Sequence, residues 1–184
     1  MKRRRVLIAT GVSLVGAISG CLDMIGGDVR VVPDDMSVEG HHTTGPTLED
    51  GLLGLQDEID SYHTLITDMA TAQERLAPAE SEDGGGPTAD PEARAFIEDT
   101  DFDQSYIVII QYGMPSLRWL DLRKIERMNG GIRVTVETDD DGYNDDWAVH
   151  SKIIRITDQE EGVPDDVDVE VDGEPTDLSE VADR

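Results

Sequence analysis

The chain has 184 residues, 15 Lys+Arg against 41 Asp+Glu for a formal net charge of −26, 38% apolar residues and 4% aromatics. That length fits one domain with tails. The acid excess excludes a nucleic-acid binder, because a polyanion needs a basic footprint, and the single cysteine excludes an internal disulfide or a cysteine-cage metal site.

Met1 to Arg5 is a basic start, Val6 to Ala17 a short apolar run, and Ile18-Ser19-Gly20-Cys21 a small-residue exit. This layout predicts a secretory signal over 1–20, since the apolar run falls short of the roughly 20 residues that span a bilayer. Ile18-Ser19-Gly20 before Cys21 resembles a lipobox, in which the bond before the cysteine is cut and the thiol takes a lipid. Arg3-Arg4 with Val6-Leu7 resembles a twin-arginine export address, which implies a chain that folds before it crosses the membrane. The expectation is a protein anchored by lipid to the outer face of the cell membrane.

Cleavage before Cys21 would remove four cations and no acids, leaving eleven cations against 41 acids, with Lys124 and Lys152 the only lysines. In dilute salt such a surface repels itself. At about 1 M salt the Debye length falls to about 3 Å and the repulsion is screened. The carboxylate-rich, lysine-poor surface resembles that of extremely halophilic archaea.

Residues 21–47 carry Gly26-Gly27, Pro33, Gly40 and Gly45-Pro46 and read as a flexible tether from the lipid; His41-His42 in it could touch a metal but, with no neighbouring ligand set, reads as solvated. A β-rich domain is expected over 48–172. Leu48, Leu52, Leu55 and Ile59 have helical spacing that Gly51 and Gly54 weaken. Tyr62 to Thr67 is rich in β-branched and aromatic residues and reads as a strand. Thr67 or Asp68 can cap a short helix burying Met69, Ala72 and Leu76. Residues 77–91 read as a disordered loop around Gly84-Gly85-Gly86-Pro87. Asp90-Pro91-Glu92 then supplies a cap, a first-turn proline and an acid at the dipole for a second short helix burying Ala93, Phe96 and Ile97.

Ser105 to Tyr112 is apolar on both parities, as in a strand covered on both faces, and Gly113 to Ser116 should break it. Leu117 to Arg127 is a strand, and Asn129-Gly130-Gly131 supplies positive-φ residues for a tight hairpin. Ile132, Val134 and Val136 alternate with polar residues, so that strand is half-buried. In 147–156 the apolar parity switches, which predicts a bulge near Ser151. Val167, Val169 and Val171 form a last strand before an acidic tail over 173–184. The fold class is α+β and mostly β: a small antiparallel sheet or sandwich of about six strands with one or two short helices, sequence neighbours pairing.

Asp139 to Asp146 is the most oxygen-rich loop. A calcium loop read from Glu137 places Asp139, Asp141 and Gly142 in register but puts Ala148 where a bidentate acid is needed. A looser divalent site of Asp139, Asp141 and Asp145, holding Ca2+, stands beside the plainer reading of a solvated acidic turn. His63 and His150 each sit in a strand with no second histidine nearby in sequence and read as packed or surface residues, with catalysis or zinc ligation as the lesser alternative. Arg118, Arg123, Lys124, Arg127 and Arg133 gather five of the eleven cations within sixteen positions. They either pair with neighbouring acids on the sheet or, with Trp119, form a docking face for an acidic partner. No nucleophile stands with a base in a recognisable pattern, so no catalytic residue is named.

Tyr62 to Thr67 with its following helix, and the run Asp101-Phe102-Asp103 through the apolar strand to Gly113-Met114-Pro115-Ser116, resemble the C-terminal domain of the protease-complex stability (PrcB) family over about residues 61–157. Where the family has a Gly-Tyr pair, Arg118-Trp119 stands here. The resemblance implies a compact, mostly β, non-catalytic accessory domain on an exported lipoprotein, associated with a partner protein. The competing expectation is a ligand- or divalent-metal-binding surface lipoprotein serving a transporter or sensor.

Overall fold

A computed structural model describes residues 30–49, 51, 61–78, 88–139 and 146–176. Their order is β1 (Met36–Thr44), β2 (Ser61–Ile66), α1 (Met69–Arg75), α2 (Pro91–Glu98), β3 (Tyr106–Pro115), β4 (Leu120–Met128), β5 (Gly131–Thr138), β6 (Trp147–Asp158), β7 (Asp166–Val171) and β8 (Glu174–Pro175). Two four-stranded sheets result, β1-β6-β3-β2 and β4-β5-β7-β8. The fold is mostly β and sandwich-like, with two short helices.

The double-parity apolar runs explain the layering. In β3, residues 106–111 are all buried, and in β6 residues 149–154 are. Tyr106, Val108, Ile110, Ile154 and Ile156 face the second sheet, where they meet Ile125, Val134, Val136 and Val169. Ile107, Ile109, Val149 and Ile153 join Ile66, Ala72, Leu76, Ala93 and Ile97 in a second cluster that includes the helices. The first sheet is therefore a middle layer, and each fully buried aliphatic side chain there contributes about 1.5–3 kcal/mol.

The helices form where capping chemistry permits. Asp68 accepts from Thr71 N at 2.8 Å, and Asp90 accepts from Glu92 N and Ala93 N at 2.9 and 3.0 Å. Two arginines bind them to the sheet. Arg75 on α1 donates to Thr64 and Tyr62 of β2. Arg155 on β6 lies 4.3 Å from the Phe96 ring centroid and donates to Thr100 Oγ1 and the Phe96 carbonyl beyond and within the end of α2. Phe96 is only partly buried.

Several sequence expectations change. The tether reading of 21–47 fails over Met36–Thr44, which pairs along its whole length with β6. Gly40, two histidines and two threonines mask its periodicity, and only Met36 and Val38 supply an apolar stripe. The sheets are not wholly antiparallel: β5 and β7 run parallel because β6 crosses to the first sheet between them. β3 does not break at Gly113 but continues through Pro115↔Trp147, the proline being tolerated at the strand's terminal residue.

No bulge interrupts β6, whose register with β3 is continuous. Its parity switch reflects burial on both faces instead. The bulge lies in β4, between Leu122 and Lys124, and there the Arg123 carbonyl accepts from Val31 N at 2.9 Å. The β4–β5 hairpin turns on Gly130 alone at φ +85, without a left-handed Asn129. Glu174–Pro175 pairs with β7, so the acidic tail does not begin at 173. Both described ends of the 77–91 loop are packed, with Ala77 and Ala89 buried and Ala89 N donating to the Pro78 carbonyl. Residues 79–87, and the leucine-rich spacing over 52–59, lie outside the described residues.

Candidate functional site

β3 ends at Pro115 where β6 begins at Trp147, and the turn from β3 to β4 delivers Leu117, Arg118 and Trp119 to that end of the sandwich. Ser116 N donates to the Asp146 carbonyl at 2.8 Å and Asp139 N to the Trp119 carbonyl at 2.9 Å, which fixes the turn beside both strand ends. Leu117, Trp119 and Trp147 are 58%, 53% and 50% exposed. The chain contains two tryptophans, and both are half in water on this one end. Beside Trp147 is a shallow hollow of about 90 Å³ between Tyr112, Met114, Arg118 and Asp172.

Beneath Trp119 lies an imidazole pair. The register places His42 opposite Lys152 and Thr44 opposite His150, so strand alternation puts His42, His150 and Lys152 on the face turned to the second sheet. The Trp119 and His42 ring centroids are 4.6 Å apart. His42 Nε2 and His150 Nδ1 are 3.3 Å apart. Burial, with His150, Lys152 and His41 adding to it, pushes the His42 imidazole down to about 3. Burial also lowers His150, against a hydrogen bond to the Pro115 backbone. Burial lowers Lys152 as well, with Arg30 adding and Asp121 opposing. Both imidazoles are therefore neutral near pH 7, and His42 Nδ1 and His150 Nε2 are buried without a partner.

The expected histidine roles divide. His63 is a packed residue: Nε2 meets the Val167 carbonyl at 3.0 Å and Nδ1 meets Thr176 Oγ1 at 2.6 Å. His41 is not solvated but stacks on Phe96, centroids 5.8 Å apart. The His42–His150 pair is absent from the sequence reading, because 108 residues separate them and β1 had no legible period.

The expected cationic face is engaged within the domain. Arg123 pairs with Glu137 at 2.9 Å, Lys124 with Glu126 at 2.6 Å, and Arg133 with Asp168 and Glu170 at 3.1 and 3.4 Å. Arg127 pairs with Asp35, Asp158 and Glu161. Of the expected partner-binding set, Trp119 lies at the exposed aromatic end together with Arg118, which lines its hollow. Arg123 and Arg127 are held in these ion pairs.

Asp139 is described and its amide is bound to Trp119, whereas Asp141 and Asp145 lie outside the described residues, as do Arg3, Arg4, Ile18, Ser19, Gly20 and Cys21. Among the described residues no three His, Cys, Asp or Glu side chains gather as a metal cluster, and no helix is long and apolar enough to cross a membrane.

No family model, curated protein or solved structure matches the chain. The phrase Asp101-Phe102-Asp103 has a local physical basis. The Asp101 carboxylate accepts from Asp103 N at 3.1 Å and Gln104 Nε2 at 2.7 Å, forming the turn that starts β3, while Phe102 packs on the helix-side cluster.

Proposed function

We propose that the chain is a lipid-anchored cell-surface protein whose β domain binds a partner protein through the end bearing Leu117, Trp119 and Trp147, without catalysis by its own residues. The observation carrying this reading is the placement of both tryptophans, half-exposed, at one end of a chain with 4% aromatics. Exposed aromatic clusters of this kind characterise protein interfaces, and tryptophan is prominent among interface anchors. Concentrated salt shortens the reach of surface charge to about 3 Å at 1 M, leaving apolar contact as the main attraction available to so acidic a molecule. The anchor rests on Ile18-Ser19-Gly20-Cys21 after a basic, apolar leader, and the export route on Arg3-Arg4. The accessory role implied by the PrcB-like phrase agrees with this reading.

Two experiments test it. Cys21→Ser should shift the protein from the membrane fraction to the medium. A photo-crosslinking residue placed at Leu117 in intact cells kept in brine should capture a discrete protein, and the adduct should vanish when Trp119 and Trp147 are both changed to alanine. An adduct unaffected by those changes would overturn the docking surface, and cytosolic recovery of the chain with an unmodified Cys21 would overturn the anchor.

A further inference from the structure

The imidazole pair under Trp119 meets through one nitrogen of each ring, a hydrogen bond whose proton moves to an outer, unpartnered ring nitrogen when both facing lone pairs are to bind a metal. The His42 and His150 centroids are 5.3 Å apart, the rings inclined by 28°, and the facing nitrogens are 3.3 Å apart. The centroid separation exceeds the nitrogen separation by nearly two ring radii, so the rings meet edge to edge with Nε2 and Nδ1 directed toward each other. Two imidazole nitrogens on one tetrahedral metal, each bonded at 2.0–2.1 Å, stand roughly 3.3 Å apart. We infer that His42 and His150 form a two-imidazole site for a borderline d-block dication, zinc(II) fitting the tetrahedral separation and copper(II) serving as its spectroscopic probe, with water completing the coordination.

Two features support the assignment. Both side chains come from paired strands of one sheet, β1 and β6, so their separation is set by strand spacing rather than by a loop. Burial keeps both rings in the neutral form whose lone pairs bind metal. Imidazole ligands suit copper, nickel and zinc, and the affinity order for divalent first-row metals peaks at copper. Calcium and magnesium prefer oxygen and are not the ions of this site.

Trp119 provides the readout, because copper(II) bound at His42 would sit against its ring and quench it. The probe is copper(II) alone, titrated into the untagged full chain in concentrated KCl, with Trp147→Phe present so that Trp119 is the sole emitter. A saturable quench at one copper per chain is expected, with magnesium and calcium giving none. His42→Ala and His150→Ala should each weaken binding by at least about tenfold, since each removes one of two protein ligands. Trp119→Phe should abolish the quench while calorimetry still reports one copper. Electron paramagnetic resonance of the wild-type copper complex needs no variant and should show two coupled nitrogens. An all-oxygen copper spectrum, or equal affinity in the wild type and both histidine variants, would overturn the site. The partner-capture experiment is independent of either result.

Discussion

His63 on β2 and Val167 on β7 belong to different sheets, yet the imidazole Nε2 approaches the Val167 carbonyl at 3.0 Å. The carbonyl can only accept, so Nε2 carries the proton and donates. Nδ1 is then left to accept from Thr176 Oγ1 at 2.6 Å, just past β8. One side chain thus ties the edge of the first sheet to the closing strands of the second. His63→Leu keeps the bulk but leaves a buried carbonyl without its donor, and should destabilise the domain by about 1–3 kcal/mol. Chemical denaturation in concentrated salt measures it; an unchanged midpoint would mean that the sheets are held together by packing alone.

The assignment of β1 is tested by shortening the chain. A chain beginning at residue 48 uncovers the β6 edge, where residues 149–154 are buried in the whole molecule, and an unpaired apolar edge invites aggregation. It should be insoluble or unfolded, whereas one beginning at residue 30 should fold. Hydrogen exchange on the full chain should likewise show protected amides within 36–44. Complete exchange of that segment within seconds would refute the pairing.

The Arg127 cluster predicts the acid side of stability. The hydrogen bond from Arg127 holds the Asp35 carboxyl below its ordinary value of 3.8. Burial raises Asp158, but the Glu161 amide, Arg127 and the Glu160 amide outweigh it and lower that carboxyl too. Groups lowered on folding contribute stability above the unfolded pKa, and this contribution is lost as pH falls through the folded values. Unfolding free energy in concentrated salt should therefore drop once pH passes below 3.8. Arg127→Met should be less stable at neutral pH and should show a shallower acid decline. A parallel decline in the two proteins would remove Arg127 as the cause.

The net charge of −26 leads to a salt prediction. Between about 0.1 M and 1 M salt the Debye length shrinks from about 10 Å to about 3 Å, so the thermal midpoint should climb steeply over that range. Circular dichroism during a KCl titration reads it. Full folding in water without added salt would contradict the halophilic reading.

How much of this was legible beforehand follows from what each segment shows its neighbours. The two helices announced themselves through Asp68 and Asp90, because capping is local chemistry. β5 and β7 showed through valine alternation, since each buries one face. β6 misled through Ile153 and Ile154: in a middle layer both parities are apolar, and the pattern resembles a slipped register. β1 was invisible because an edge strand takes its order from the strand it joins. The site suffered most from this, since His150 could be placed on a strand but its neighbour His42 could not. The salience of Arg118 to Arg133 came from scarcity of positive charge, and scarcity is also why the surrounding acids compete for those side chains.

The pairing of β1 with β6 also orders events during synthesis. Met36–Thr44 leaves the ribosome more than a hundred residues before its partner Trp147–Asp158. Until that partner emerges the segment waits alone, kept from sticking to itself by the alternation of Ser37, Glu39, His41 and Thr43 with its few apolar side chains. The first sheet closes over its own beginning only once β6 has emerged, so the earliest strand of the domain is among the last to be ordered.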